Sequence, residues 1–496
     1  MFAGPIAGLI FFVCLPENYT AANGQAAEFS RAGRVTLAVM AWMAIWWLTE
    51  AVELSTTALL PIALFPLFGA MSATDAAAPY AHRLIFLFLG GFIIALSMQR
   101  WGLDKRIALG VLKMVGAKPA NMVGGFMLST AGLSAFISNT ATTAMMLPIA
   151  LSVVTLLKEK AGNEAGGENF SVCLMLGIAY AASIGGMCTL IGTPPNAFLA
   201  AFLRDSIAEP YRMEIDFARW LMFGLPVTLT MLPITWWMLT RWLFPIRVKE
   251  IKGGRELIGS EIKALGKIKR GERITLIVFL LAAFCWIARP LLLKITIPLG
   301  GSSIAPFAGL SDPVIAVIAA VLLFAIPVNV AKREFTMNWD TASKLPWDIL
   351  ILFGGGMSLA AAVKANGVAE FIGSQAGRFA GMPSLLLILI VVTSVIFLTE
   401  LTSNLATTAT LLPVLAALAP PLGVHPYMLV FTATIAASCA FMMPVATPPN
   451  AIVFGSRLVT LPQMVKAGWW LNLIGIVVVT TLASVLIEVV TGIKMK

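Results

Sequence analysis

Charge, histidine and usable cysteine are scarce in this chain. Only 12% of its 496 residues are Asp, Glu, Lys or Arg. Soluble domains carry roughly 25%, so an ordinary water-soluble fold is excluded. The two histidines, His82 and His425, are far apart and have no Cys or carboxylate cluster beside them. That excludes a histidine-based metal centre. The five cysteines, Cys14, Cys173, Cys188, Cys285 and Cys439, are scattered through apolar segments. No pair has metal or redox spacing, and no disulfide framework is expected. No continuous apolar segment carries a pair of acids, which disfavours a proton relay. No nucleophile–base pair, metal cluster or carboxylate dyad appears, so the chain is not expected to be an enzyme. The first apolar run, 2–15, lacks a basic leader and a small-residue cleavage site. It reads as a short span rather than a signal peptide.

What fills the chain instead is hydrophobic: 59% of residues, in recurring runs of about twenty. A β-barrel needs alternation rather than runs. The fold expected is therefore all-α and polytopic in a membrane, the cell (inner) membrane if the source is bacterial, with lipid around it. The net charge of +10 is concentrated. Between Arg241 and Arg273 stand ten Lys/Arg and four Glu, a local excess of six positive charges. This basic loop, 245–272, reads as cytoplasmic by the positive-inside rule, not as a nucleic-acid site.

Apolar segments fall near 2–15, 35–52, 54–71 and 84–99, followed by an amphipathic basic stretch, 103–114. Then come 121–157 and 171–203, both interrupted, and 218–240. After the basic loop come 273–294, 313–331, 346–363, 384–420, 427–456 and 463–490. Region 121–157 is too long for one span and too short for two with a loop. It breaks at "SNTATT" (Ser138 to Thr143), and 384–420 breaks at "SNLATT" (Ser403 to Thr408). Regions 171–203 and 427–456 break at "GTPPNA" (Gly192 to Ala197) and "ATPPNA" (Ala446 to Ala451). Consecutive prolines remove two backbone donors and force the helix to unwind. In a bilayer, unwound backbone survives only where protein buries it or it lines a polar cavity.

The two halves are in register. An offset of 265 carries Ser138 to Ser403, Gly90 to Gly355, Gly91 to Gly356, Pro148 to Pro413 and Ser134 to Thr399. An offset of 254 carries Thr193 to Thr447. The difference matches the polar insertion from Lys158 to Asn169. The expected organisation is an extra first helix and loop over 1–34, one repeat over 35–244, the basic loop, and a second repeat over 273–490. About eleven transmembrane helices and two re-entrant hairpins make the repeats inverted in topology, the architecture of many secondary transporters.

Each repeat supplies one Ser-Asn hairpin tip and one unwound Thr-Pro-Pro-Asn. Exposed carbonyl and side-chain oxygens suit a hard cation such as Na⁺. The N-termini of the outgoing half-helices suit a carboxylate or another oxyanion. A lone Ser, Thr or Asn in a span usually binds helix to helix, but packing alone rarely preserves two duplicated words and their spacing.

These words, "SNTATT", "TELTSNLATT" and the two "TPPNA", make the chain resemble the divalent anion:sodium symporters over nearly its whole length. The family includes Na⁺-coupled carriers of succinate, malate, fumarate and citrate. The resemblance implies an elevator mechanism, with a transport domain moving against a scaffold domain in a homodimer. It places one Na⁺ at Ser134, Ser138, Asn139 and the Gly192 carbonyl. A second falls at Thr399, Ser403, Asn404 and the Ala446 carbonyl, so at least two Na⁺ sites are implied. Substrate would meet Asn139, Thr140, Thr193 and Pro194 on one side, and Asn404, Leu405, Thr447 and Pro448 on the other. One residue departs from the family pattern: Leu405 stands where a threonine is usual. Its isobutyl group is expected to face substrate, which makes recognition asymmetric and leaves citrate open beside C4-dicarboxylates.

Among other charges, Glu50 and Glu53 are expected to be solvated or paired. Asp348 should complement a helix start, and Lys364 and Arg100 should snorkel. Glu400 reads equally as a tuner of the second cation site or as a local hydrogen-bonding group. The alternatives are a Na⁺-independent exchanger, a symporter of sulfate or another inorganic anion, and a channel. The first should carry a basic residue in place of cation-site oxygens, and none stands in the four words. The second often carries a large soluble insertion, for which no loop has room.

Overall fold

The structure is a computed structural model that describes residues 1–21, 25–116, 118–161, 167–247, 253–299, 302–376 and 381–492. The middle of the polar insertion and part of the basic loop therefore lie outside the described residues. Among the described residues, eight helical stretches are long and apolar enough to cross a membrane: Arg31–Thr49, Ala73–Trp101, Asn139–Leu157, Gly167–Gly186, Phe217–Leu243, Arg270–Leu292, Trp347–Ala365 and Leu461–Ala483. Six shorter apolar helices accompany them. Burial separates inner from outer helices. Gly167–Gly186 has 94% of its apolar window inside the protein, whereas Arg270–Leu292 has 22%. The second therefore presents Leu280, Leu281, Phe284 and Ile287 outward, as a lipid-facing helix does.

The shorter helices arise at breaks. Region 121–157 divides into Pro119–Ser134 and Asn139–Ala161, and region 384–420 into Ser384–Thr399 and Asn404–Leu418. Region 171–203 divides into Gly167–Gly186 and Pro194–Ala201, and 427–456 into Pro426–Ala437 and Pro448–Gly455. Thr193 and Thr447 have the same extended backbone, φ −144°, with ψ 143° and 148°. A residue before proline is pushed to this region, and proline is then pre-set for the first helical turn. Both "TPPNA" words thus end one unwound stretch and start one helix.

The long helices run between two polar ends. At one end His82 Nε2 is 2.7 Å from Asp205 Oδ2 and Arg83 pairs with Glu214 at 3.2 Å. Lys364 Nζ donates to the Asp205 carbonyl at 2.9 Å, and the Tyr427 hydroxyl donates to the Tyr211 carbonyl at 2.8 Å. Partial burial acts to raise the Asp205 carboxyl, but the bond and charge of His82, with Arg204 and Arg212, hold it below the ordinary carboxylate value. At the other end Trp101 Nε1 donates to the Thr336 carbonyl at 2.8 Å, Lys105 pairs with Glu261 at 2.9 Å, and Arg106 clasps Glu272. Phe217–Trp237 is 21 residues long, about 30 Å of helix. It begins at the Asp205 end, and near its far end Trp236 Nε1 donates to the Ala120 carbonyl at 2.8 Å. The hairpin with its tip at Ser138 is thus rooted at the Arg106 end. Leu418 is followed by Pro426–Ala437, whose start is held by Tyr211, so the hairpin with its tip at Ser403 is rooted at the Asp205 end.

Gly90 and Gly355, 265 residues apart, both lie flush against neighbouring backbone. A side chain at Gly90 would meet the Ala316 carbonyl, and one at Gly355 the Ala58 carbonyl. Each repeat carries this close crossing.

Three expectations are corrected. Region 54–71 is not one span: it is Leu54–Thr57 and Leu60–Leu67, joined by a turn ahead of Pro61. Region 313–331 is helical only over Asp312–Ala325, because Pro327 cannot continue a helix. A short ribbon follows, Pro327–Asn329 against Glu334–Phe335. The basic loop contains a helix, Gly254–Leu265. Lys364 and Arg100 carry their charged heads to the two polar ends, where they donate to the backbone carbonyls of Asp205 and Thr336. Glu50 and Glu53 are exposed and Asp348 lies in a first helical turn, as expected.

Candidate functional site

The break at Ala135–Ser138 brings its two helix ends onto one cluster. Ser134 Oγ, fully buried, lies 2.6 Å from Asn139 Oδ1 and 2.7 Å from the Ala182 carbonyl. The second hairpin repeats this: Thr399 Oγ1, also fully buried, lies 2.9 Å from Asn404 Oδ1 and 2.8 Å from the Ala437 carbonyl. In each cluster two acceptor oxygens converge on one hydroxyl, whose single proton can satisfy only one of them well. Such a cluster favours a cation.

The unwound stretches are built alike. Asn196 Nδ2 donates to the carbonyls of Gly186 (3.1 Å) and Thr189 (2.7 Å), and Asn450 Nδ2 to those of Ala440 (3.3 Å) and Met443 (3.0 Å). The final residue of "TPPN" therefore shapes the loop by holding two of its carbonyls. The amide oxygens of Asn196 and Asn450 have no hydrogen-bond partner, nor do the hydroxyls of Ser183 and Ser438, and all four are buried. Unpaired buried oxygens are costly. Here they occur in two matched pairs beside the breaks.

The other expected residues fall on the same two constructions. Ser138 is half-buried, and its Oγ accepts from the Ala141 backbone N–H at 3.3 Å; Ser403 is half-buried without a side-chain cap bond. Gly192 is buried, and a side chain there would meet the Gly186 and Ala135 carbonyls. Ala446 is buried, as are Thr193 and Thr447; Thr447 Oγ1 accepts from the Asn450 N–H at 3.3 Å. Pro194 is half-buried and Pro448 exposed, Asn139 and Asn404 are half-buried, and Thr140 is exposed. Leu405 is 4% exposed, so its side chain is packed in this conformation.

The repeats also cross over. Pro194–Ala201 packs against Asn404–Leu418, and Pro448–Gly455 packs against Asn139–Ala161. Each half-helix starting at a "TPPNA" thus borders the returning arm of the other repeat's hairpin. Helices start at Asn139, Pro194, Asn404 and Pro448, one at each break, and a helix N-terminus favours anions. A separate cavity of about 450 Å³, lined by Phe202, Tyr211, Lys364, Glu370 and Pro413 among others, contains none of the expected site residues.

Residues 21–493 match the family model for the sodium:sulfate symporter transmembrane region. The chain belongs to this family. Sequence relatives include the sodium-dependent dicarboxylate transporter SdcS of Staphylococcus saprophyticus, 40% identical over 473 residues, covering 95% of this chain and 89% of the relative. SdcS of Staphylococcus aureus strain USA300 is 40% identical over 468 residues, covering 93% and 87%. Two solved transporters share the fold. Neisseria gonorrhoeae MtrF, described among antimetabolite efflux pumps, aligns with TM-score 0.58 and 12% identity over 89% of this chain and 96% of its own. Alcanivorax borkumensis YdaH aligns with TM-score 0.58 and 13% identity over 99% and 97%. The symporter family is a family of transporters, and this member is a multi-pass integral membrane protein.

Sequence reasoning had missed Ala182, Ala437, Ser183, Ser438, Asn196 and Asn450. A signal for four of them was present: the word Ala-Ala-Ser occurs at 181–183 and again at 436–438, just ahead of each break.

Proposed function

We propose that this protein couples inward Na⁺ movement to the uptake of di- or tricarboxylates, with succinate, malate and fumarate as first candidates and citrate as a further one. The observation that carries this reading is the duplicated cluster in which two acceptor oxygens converge on one hydroxyl, at Ser134 and at Thr399. The names of the SdcS relatives support both the cation and the carboxylate class.

In this reading one Na⁺ is held by Ser134, Ser138, Asn139 and the Gly192 carbonyl, and a second by Thr399, Ser403, Asn404 and the Ala446 carbonyl. The carboxylates meet Asn139, Thr140, Thr193 and Pro194 on one side, and Asn404, Thr447 and Pro448 on the other. Leu405 supplies an apolar wall. Coupling follows from charge. A dianion in a low-dielectric layer is expensive, and two cations beside it lower that cost. Each therefore raises the affinity of the other by the same factor.

The opposite rooting of the two hairpins supports inverted repeats, over 35–244 and 273–490. Such repeats suit an elevator motion of hairpins and broken helices against the remaining helices, in a homodimer. The deciding experiment is uptake of radiolabelled succinate and citrate into proteoliposomes, with Na⁺ against choline outside. Saturable, Na⁺-dependent uptake is expected. Uptake indifferent to Na⁺ would favour an exchanger, and competition by sulfate alone would make the substrate an inorganic anion.

A further inference from the structure

Glu400 follows Thr399 at the end of the second hairpin's first arm and is 4% exposed. Its Oε1 accepts from the backbone N–H of Phe441 (2.7 Å), from that of Met442 (2.9 Å) and from Asn472 Nδ2 (2.7 Å). Its Oε2 accepts from the N–H of Met442 (3.0 Å) and of Met443 (3.1 Å). Three consecutive backbone donors pointing at one anion form a nest. All four donor groups are neutral, and among the described residues no Lys, Arg or His hydrogen-bonds or ion-pairs with this carboxylate. These donors stabilise the ionised form but leave its unit charge uncancelled. A protonated carboxyl would turn one acceptor into a donor facing N–H groups.

The place of this charge matters. Residues 441–443 open the unwound stretch that leads to Ala446, and Thr399 is Glu400's neighbour in the chain. Asn450 binds the Ala440 and Met443 carbonyls on either side of the same nest. The carboxylate is thus bonded into the backbone that frames the second cluster. Repeat one has no counterpart. The 265-residue offset brings Glu400 to Ala135, whose carbonyl accepts from the Thr189 hydroxyl. No Asp or Glu occurs between Pro119 and Leu157 or between Ser171 and Leu203. Two clusters of matched geometry therefore sit in unmatched fields.

Resting on the sodium-carrier reading, we infer that Glu400 makes the two cation sites unequal: the site at Thr399 and Asn404 binds Na⁺ more tightly, and fills before substrate arrives. Glu400 is a positioning residue that also supplies the field; it does not itself ligate the ion.

The test is Na⁺ titration of the purified full-length protein without any carboxylate, followed by tryptophan fluorescence and by the thermal midpoint. Wild-type protein is expected to show a tighter and a weaker Na⁺ phase. Glu400→Gln should weaken the tighter phase at least tenfold. Ser134→Ala should remove the weaker phase and spare the tighter one. Asn472→Ala, which removes a donor and keeps the charge, should leave the tighter phase unchanged or tighten it. A folded Glu400→Gln protein with unchanged Na⁺ affinity would overturn the inference. So would Asn472→Ala weakening Na⁺ as much as Glu400→Gln, since that pattern marks a structural role alone. Should Glu400→Gln not fold, Glu400→Asp decides: retained Na⁺ affinity supports the charge, and lost affinity overturns it. Absence of any Na⁺ response in the wild-type protein removes the sodium-carrier reading itself, a result distinct from every one of these.

Discussion

Thr140 and Leu405 hold the same place in the two hairpins, 265 residues apart, yet Thr140 is exposed and Leu405 is packed. Each follows the asparagine that starts a returning arm. One hairpin tip therefore offers a hydroxyl and the other a hydrocarbon wall. Thr140→Val keeps the shape and removes the hydroxyl. A hydrogen bond to a charged group is worth roughly 1.5–3 kcal/mol, so succinate affinity should fall about 10- to 150-fold. Leu405→Thr should shift preference toward succinate over citrate and lower the melting midpoint. Competition uptake with both substrates measures the first effect; unchanged preference would leave residue 405 a packing role only.

The paired clusters make a second prediction. Ser134→Ala and Thr399→Ala each remove the hydroxyl on which two oxygens converge. Each should raise the Na⁺ concentration for half-maximal uptake by roughly tenfold or more, with little change in substrate affinity at saturating Na⁺. This is the pattern of a lost cation ligand worth about 1.4 kcal/mol. Equal loss at every Na⁺ concentration would assign both hydroxyls to helix packing.

The side-chain parts of these clusters were legible because they stand at repeated positions, whereas the Ala182 and Ala437 carbonyls were not. Prolines at 194, 195, 448 and 449 mark the breaks, and the residues flanking them differ little between copies. Much of what sequence reading missed involves the backbone. Glu400 stayed undecided because its partners are the N–H groups of Phe441, Met442 and Met443, a triplet whose side chains suggest only an apolar core. Lys364 and Arg100 find carbonyls, which carry no residue signature. The divided 54–71 region and the early end near Ala325 do have prolines as signals, at Pro61 and Pro327, but continuous hydrophobicity outweighed them.

Gly186 tests how closely hairpin and broken helix must approach. A methyl group there would sit 2.6 Å from Asn139 Oδ1, closer than such atoms can come. The Asn139 amide must move, and with it an oxygen of the first cluster. Gly186→Ala should therefore abolish most Na⁺-driven uptake while the protein still purifies as a folded species. The counterpart position is already Ala440, so only the first repeat carries this constraint. Near-normal uptake by Gly186→Ala would mean that Asn139 has room to move without loss.

The Asp205 end offers a prediction about stability rather than transport. Arg289 lies 3.7 Å from Glu214, 3.6 Å from Asp216 and 3.7 Å from Asp312, and its Nε donates to the Leu310 carbonyl at 3.0 Å. Asp312 is 4% exposed, and its Oδ2 accepts from the Phe217 N–H at 2.7 Å. The arginine thus joins four elements: its own helix, the segment before Phe217, the residues at Leu310 and the start of Asp312–Ala325. Arg289→Gln leaves a buried carboxylate without its countercharge, a change that costs about 3 kcal/mol. Asp312→Asn in the same chain removes the charge that needed pairing. The double variant should then be more stable than the sum of the single effects predicts, by roughly 1–2 kcal/mol. Thermal unfolding of the four proteins in one detergent measures this coupling. Strict additivity would mean that Arg289 acts through the Leu310 carbonyl and its surface partners, and that Asp312 owes its burial to the Phe217 N–H.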